Sequence, residues 1–159
     1  TDSQYLKNGM ESWLAKWNGT PDTLTVVDHR EYRIYFHHET SRLRFEVSTD
    51  GLEGPEHSQA VTHPLEIERD RLYFVQASHD AEADMLQLRV GTQAEHGSVA
   101  SESWDKGVFS GEADLDVGAQ NTCTDDHLQG VVDALGFWTR TLTDEESRSL
   151  WNAGEGLEL

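Results

Sequence analysis

Over much of this chain polar and apolar side chains alternate with a period of two. In Arg42-Leu43-Arg44-Phe45-Glu46-Val47-Ser48 the odd positions are apolar and the even ones polar, which predicts a strand with one wet face. Residues 31–38 repeat the pattern, with Tyr32, Ile34 and Phe36 set against Arg33, Tyr35 and His37. The polar link His38-Glu39-Thr40-Ser41 makes the two a hairpin, and Thr49-Asp50-Gly51 ends the second strand with a turn signal. A second hairpin is predicted from residues 71–79 and Met85–Thr92, joined by the polar turn 80–84. Further strands are expected at 24–28, 113–119 and 128–140. Residues 51–64 and 93–112 show no period and read as long loops. Near the end, Thr143-Asp144-Glu145-Glu146 has the form of a capping box, Leu150 and Trp151 follow at core-facing positions, and Gly154 marks the stop. Many short strands, polar turns and one short C-terminal helix together predict an all-β antiparallel sandwich.

Size and charge narrow the function. The 159 residues suffice for one domain, and five Trp, five Phe and four Tyr provide bulky core material. Thirty acidic residues stand against twelve basic ones, a net charge of −18. A basic nucleic-acid surface is excluded, as is attraction to an anionic membrane, and no apolar run is long enough for membrane insertion. The acids are spread along the chain rather than gathered in a tail, so the whole surface repels itself at low salt. This suits a source in brine or sea water, and equally an acidic surface that gathers divalent cations. Cys123 is the single cysteine, so there is no internal disulfide, and it reads as a small loop filler. Thr1 in place of a start methionine reads as a piece of a longer product.

The segment from Gly130 to Glu146, Gly-Val-Val-Asp-Ala-Leu-Gly-Phe-Trp-Thr-Arg-Thr-Leu-Thr-Asp-Glu-Glu, ending in Leu150-Trp151, resembles the closing signature of LamG-like jelly-roll domains of the concanavalin A-like lectin/glucanase superfamily. Residues 71–80 through 86–91 are similar to the central hairpin of that family, and Leu115-Asp116-Val117-Gly118-Ala119 to its short strand before the last loop. The resemblance covers roughly 32–157. It implies a single jelly-roll β-sandwich over 1–159, outside the cell, at a cell surface or on a virion. The family's opening strand has no convincing copy before Ser12: either Tyr5 and Leu6 belong to a degenerate one, or the first strands lie upstream. In the latter case an exposed sheet edge favours association with another domain or subunit.

The resemblance also directs attention to particular residues. Asp133, on a strand with Val131, Leu135 and Phe137, sets a carboxylate among core-facing side chains. It must be held by an Arg or backbone N–H groups, or ligate an ion. In relatives an Asp at this place contributes to a Ca²⁺ site, for which Asp125 and Asp126 lie nearby. Trp104, next to Asp105 in a long polar loop, and Trp17 are the rings expected to contact a glycan or surface ligand, or else to anchor their loops. Trp138 and Trp151 fall on core positions of the motif. Glu112, Asp114 and Asp116 mimic the alternating acids of a glycoside hydrolase, a spacing that any wet strand face shows. His37-His38 cannot chelate one metal from opposite faces of a strand. Asn18-Gly19-Thr20 has the form of a glycosylation sequon. The expectation is a non-catalytic, Ca²⁺-assisted glycan or surface-ligand module, with a structural or adhesive domain of a virion, tail fibre or surface layer as the rival and hydrolysis as a third class.

Overall fold

The structure is a computed structural model that describes residues 10–18, 29–121, 123 and 126–156. Its strands are β1 Met10–Asn18, β2 His29–His37, β3 Arg42–Ser48, β4 Ser58–Glu66, β5 Tyr73–Asp80, β6 Met85–Thr92, β7 Ser98–Ser103 and the two-residue β8 Asp116–Val117, followed by helix α1 Asp144–Trp151. They form two antiparallel sheets, one in the order β4-β3-β2-β1-β8 and the other β5-β6-β7. β8 returns after the smaller sheet to lie beside β1 at the edge of the larger one. This is the all-β sandwich with a short C-terminal helix that the alternation predicts.

Both predicted hairpins are present. β2 pairs with β3 and β5 with β6. In the first hairpin the apolar positions turn toward the second sheet as predicted, but the face expected to be wet buries Arg33, Tyr35 and Glu46, and in the second hairpin β6 alternates while β5 is half-buried throughout. Leu43, Phe45 and Val47 of β3, Val61 of β4, and Leu86, Leu88 and Val90 of β6 meet between the sheets as a buried core, with Trp104 against it. Along one flank the sandwich is closed by His63. Its Nδ1 accepts from the Leu65 N–H at 3.1 Å, so Nε2 carries the proton and donates to the carbonyl of Ser98 at 3.1 Å, joining β4 to β7. On the other flank the outer edge of β5 pairs with no strand among the described residues.

Several expectations are corrected. β4 and β7 arise inside segments that read as loops, and β1 lies where no strand is legible. β1 contains a register shift between Ser12 and Leu14, which breaks the period of two. Only Asp116–Val117 of the expected 113–119 strand is extended into the sheet. Residues 128–140 form no strand: Ala134 takes a left-handed conformation (φ 51°), and 130–140 lie exposed. The expected strand at 24–28 lies outside the described residues.

Helix α1 and its capping box form as read, while Leu150 and Trp151, expected to face the core, are half-buried and outside the main core. The Thr143 hydroxyl accepts from the Glu146 N–H at 3.2 Å, and the Glu146 carboxylate accepts from the Thr143 N–H at 2.9 Å. Asn152 turns left-handed to end it. Gly154 follows at φ 89°, packed so closely that a Cβ would sit 2.1 Å from the Gln93 carbonyl oxygen.

Candidate functional site

Strands β2 and β3 turn Tyr32, Ile34, Phe36 and Leu43, Phe45 inward, so Arg33, Tyr35 and Glu46 face away from the second sheet. That outer face carries a polar cluster. Arg33, only 4% exposed, sits between two rings, its guanidinium carbon 4.3 Å from the centre of Trp17 and 4.5 Å from that of Tyr35. Its Nε and Nη2 donate to Glu46 Oε2 at 2.9 and 2.7 Å, Nη2 also to Glu53 at 3.2 Å, and Nη1 to Gln120 at 3.4 Å. The other Glu46 oxygen accepts from Ser58 at 2.9 Å. Gln120 in turn accepts from Ser12 at 3.1 Å and donates to Asp126 at 2.5 Å. Burial, the largest single influence, pushes the guanidinium towards deprotonation, but Glu46, Tyr35 and Glu53 together more than offset it, so Arg33 stays above its ordinary pKa. Tyr35 is raised by its own burial and then by Glu46. A fixed cation with its donors engaged can orient neighbours and order a face. It has no lone pair for acid–base work.

A second cluster joins α1 to the smaller sheet. Ser147, His96 and Asp144 have the look of a nucleophile, a base and its orienter, with Ser147 Oγ 2.8 Å from His96 Nε2 and Asp144 3.9 Å from Nδ1. The proton positions run the other way. Arg89 Nη1 lies 3.2 Å from His96 Nδ1, and a guanidinium only donates, so Nδ1 accepts and Nε2 carries the hydrogen. Nε2–H then donates to Ser147, whose hydroxyl donates to Gln76. His96 has no free lone pair facing the serine, and Ser147 is 1% exposed. Burial, then Arg89 and Arg148, lowers the His96 pKa against the pull of Asp144. The relay is therefore a clamp: it fastens α1 to β5 and β6, helped by Arg89 donating to Asp144 at 2.7 Å and the Trp151 indole donating to the Thr92 carbonyl at 2.8 Å. An open cleft of about 520 Å³ runs beside it, between the 94–98 segment, Arg148 and Trp151.

The residues singled out in the sequence are dispersed. Trp104 is 5% exposed and belongs to the core, its indole donating to the Gly107 carbonyl at 2.5 Å, while Asp105 beside it is exposed. Trp17 is 3% exposed, in β1 rather than in a loop, and covers Arg33. Neither ring offers a free face, which corrects their reading as contact surfaces. Trp138, expected in the core, is 50% exposed. Asp133 is exposed and not on a strand, which corrects its reading as a core-facing carboxylate. Asp126 engages Gln120, and Asp125 lies outside the described residues. Among the described residues no three His, Cys, Asp or Glu side chains group closely enough to hold a metal. Glu112 and Asp114 are exposed, whereas Asp116 is buried and accepts from the Cys123 thiol at 3.4 Å, so the three acids share no strand face.

Sequence reasoning missed the Arg33 cluster, whose members come from six separated segments. One signal was available: the predicted hairpin register places Arg33 opposite Glu46 on the wet face. Compared with known proteins, the chain matches no family model, no curated protein and no solved structure.

Proposed function

We propose that this domain is a non-catalytic recognition and assembly module outside the cell, whose principal ligand is a protein surface: another domain or subunit of a cell-surface or virion structure. The observation that carries this reading is the exposed apolar stretch Val131 (83% exposed), Val132, Leu135, Phe137 (55%) and Trp138 (50%). These side chains expose on the order of 500 Å² together, the size of the largest apolar patch on a typical monomer, and such patches mark interaction sites. Neither reading asks for proton transfer or a nucleophile: Arg33 has no lone pair to offer, and the His96 nitrogen facing Ser147 carries its hydrogen.

Light scattering across protein concentration tests the assembly role, with Trp138→Asp as control. Self-association or partner capture that this variant abolishes supports the reading. A glycan array that shows saturable sugar binding, unaffected by Trp138→Asp, would overturn it.

Glycan recognition is the second reading, favoured by the ordered outer face of the larger sheet. There Arg44 and His37 of β2–β3 are half-buried beside Tyr35, and Glu53 is exposed at the rim of the Arg33 cluster. Loss of array binding on Arg44→Ala would support it. Kinship with LamG-like domains is supported by the β5–β6 hairpin and the capping-box helix in the expected order, and draws nothing from residues 128–140.

A further inference from the structure

We propose that residues 131–138 add as a strand to the free outer edge of β5 in a second copy of this chain, reciprocally, giving a two-fold dimer. The inference rests on the assembly reading above and names the partner. Two features of the same molecule complement each other. β5 spans eight residues, Tyr73–Asp80, is hydrogen-bonded to β6 on one side, and has no strand on the other among the described residues. The stretch 131–138 also has eight residues, is rich in strand-forming Val, Phe and Trp, and lies outside any sheet. An unpaired edge is a template for an unpaired strand.

In one copy the stretch is held away from an extended path. The Gln129 N–H donates to Glu11 at one end (3.3 Å), and Arg140 is clamped to Glu146 at the other (2.6 and 2.8 Å). Between them Ala134 is left-handed, and the Trp138 ring folds over Gly136 closely enough that a Cβ there would meet it at 2.5 Å. A left-handed alanine is strained, and an extended strand relieves it.

Charge and area favour a second copy. Residues 130–139 contain one charged side chain, Asp133, in a chain of net charge −18, so a contact made here places little of the acidic surface face to face. The stretches of two copies together expose about 1,000 Å² at these apolar residues, enough for reciprocal pairing to approach the size of a specific interface once the paired backbones are added. Reciprocal exchange is isologous and closes at two copies.

The test uses the full chain in low and in molar NaCl, by light scattering and amide hydrogen exchange. The wild type is expected at twice the monomer mass, more completely in high salt, with slowed exchange at alternate β5 amides and across 131–138. Val131→Asp/Trp138→Asp is expected to lose the dimer and both protections while keeping the monomer's circular dichroism. Val131→Lys alone serves if the double variant fails to fold. A dimer lost in the variant with β5 exchanging freely throughout leaves the assembly reading standing and overturns strand addition. A monomer at all concentrations with β5 protected shows that the segment closes on its own sheet, which overturns the second copy. A monomer with neither protected overturns both.

Discussion

At the scale of single residues, two sets of buried polar groups determine how the sheets hold. Arg33 and Glu46 face each other across the β2–β3 register, with side chains 4% and 9% exposed. A buried pair adds little over a well-packed apolar pair, but losing one partner leaves a charge stranded. Glu46→Ala is therefore expected to cost about 3–5 kcal/mol in urea unfolding, at the lower end because Glu53 still reaches Arg33. Arg33→Met/Glu46→Leu should cost far less than the sum of the single changes. Additive losses in the double-mutant cycle would show that the two side chains do not act as a pair.

His63 and His96 make a second residue-scale prediction. Each is buried as the Nε2–H tautomer with Nδ1 accepting, and burial lowers both pKa values from the ordinary 6.5. When the folded value lies below the unfolded one, the unfolded chain takes up the proton first. The stabilisation is complete above pH 6.5 and declines as pH falls from there towards the folded values. The slope is at most about 1.4 kcal/mol per pH unit for each histidine. Denaturant midpoints measured downward from pH 8 should fall in this window, and His63→Asn should flatten the profile. A midpoint that rises on acidification would contradict the assignment.

At the scale of elements, α1 is the most autonomous piece. Its capping box satisfies two backbone N–H groups, and the Arg140 side chain, together with the Thr143 N–H, holds the Glu146 carboxyl down at about 2. Thr143→Ala should cost about 1 kcal/mol and Thr143→Ser much less, read by thermal unfolding. Equal losses in both would mean that the hydroxyl is not the cap. This helix was legible because a cap is local chemistry written in four consecutive residues. The first hairpin and β6 were legible for a similar reason: one face of each strand is polar in composition, even where folding buries it, so the period survives in the sequence. β1 was not. Trp13 packs against the core on one side, Ala15 and Trp17 are buried on the Arg33 side, and the bulge shifts what alternation remains. β7, Ser-Val-Ala-Ser-Glu-Ser, is largely exposed and carries too few apolar residues to betray itself. Residues 128–140 failed in the opposite sense. They have the strand pattern, but the chain turns at Ala134, which is left-handed, and pairs with no strand among the described residues. The Arg33 site was half legible, since the hairpin register alone pairs Arg33 with Glu46, while Trp17, Glu53 and Gln120 join it only through tertiary return of distant segments.

For the whole molecule, the dominant quantity is a charge of −18 distributed over the surface of a sandwich with a single main core. Folding concentrates that charge. In the unfolded chain the acids are far apart and solvated, whereas in the native state they lie within a few Debye lengths of one another, so repulsion falls mainly on the folded side. Added salt screens it. The buried pairs Arg33–Glu46 and Lys16–Glu31 are shielded from the ions and lose little, while exposed bridges such as Arg71–Glu68 weaken but contribute little to begin with. The balance therefore has a definite sign: the melting temperature should rise from low to molar NaCl, most steeply at the low end where the Debye length changes fastest. Sodium sulfate should extend the rise by strengthening apolar burial, whereas sodium chloride should level off once screening is complete. A melting temperature that falls in molar chloride would mean that exposed ion pairs, rather than repulsion among the acids, control the folded state.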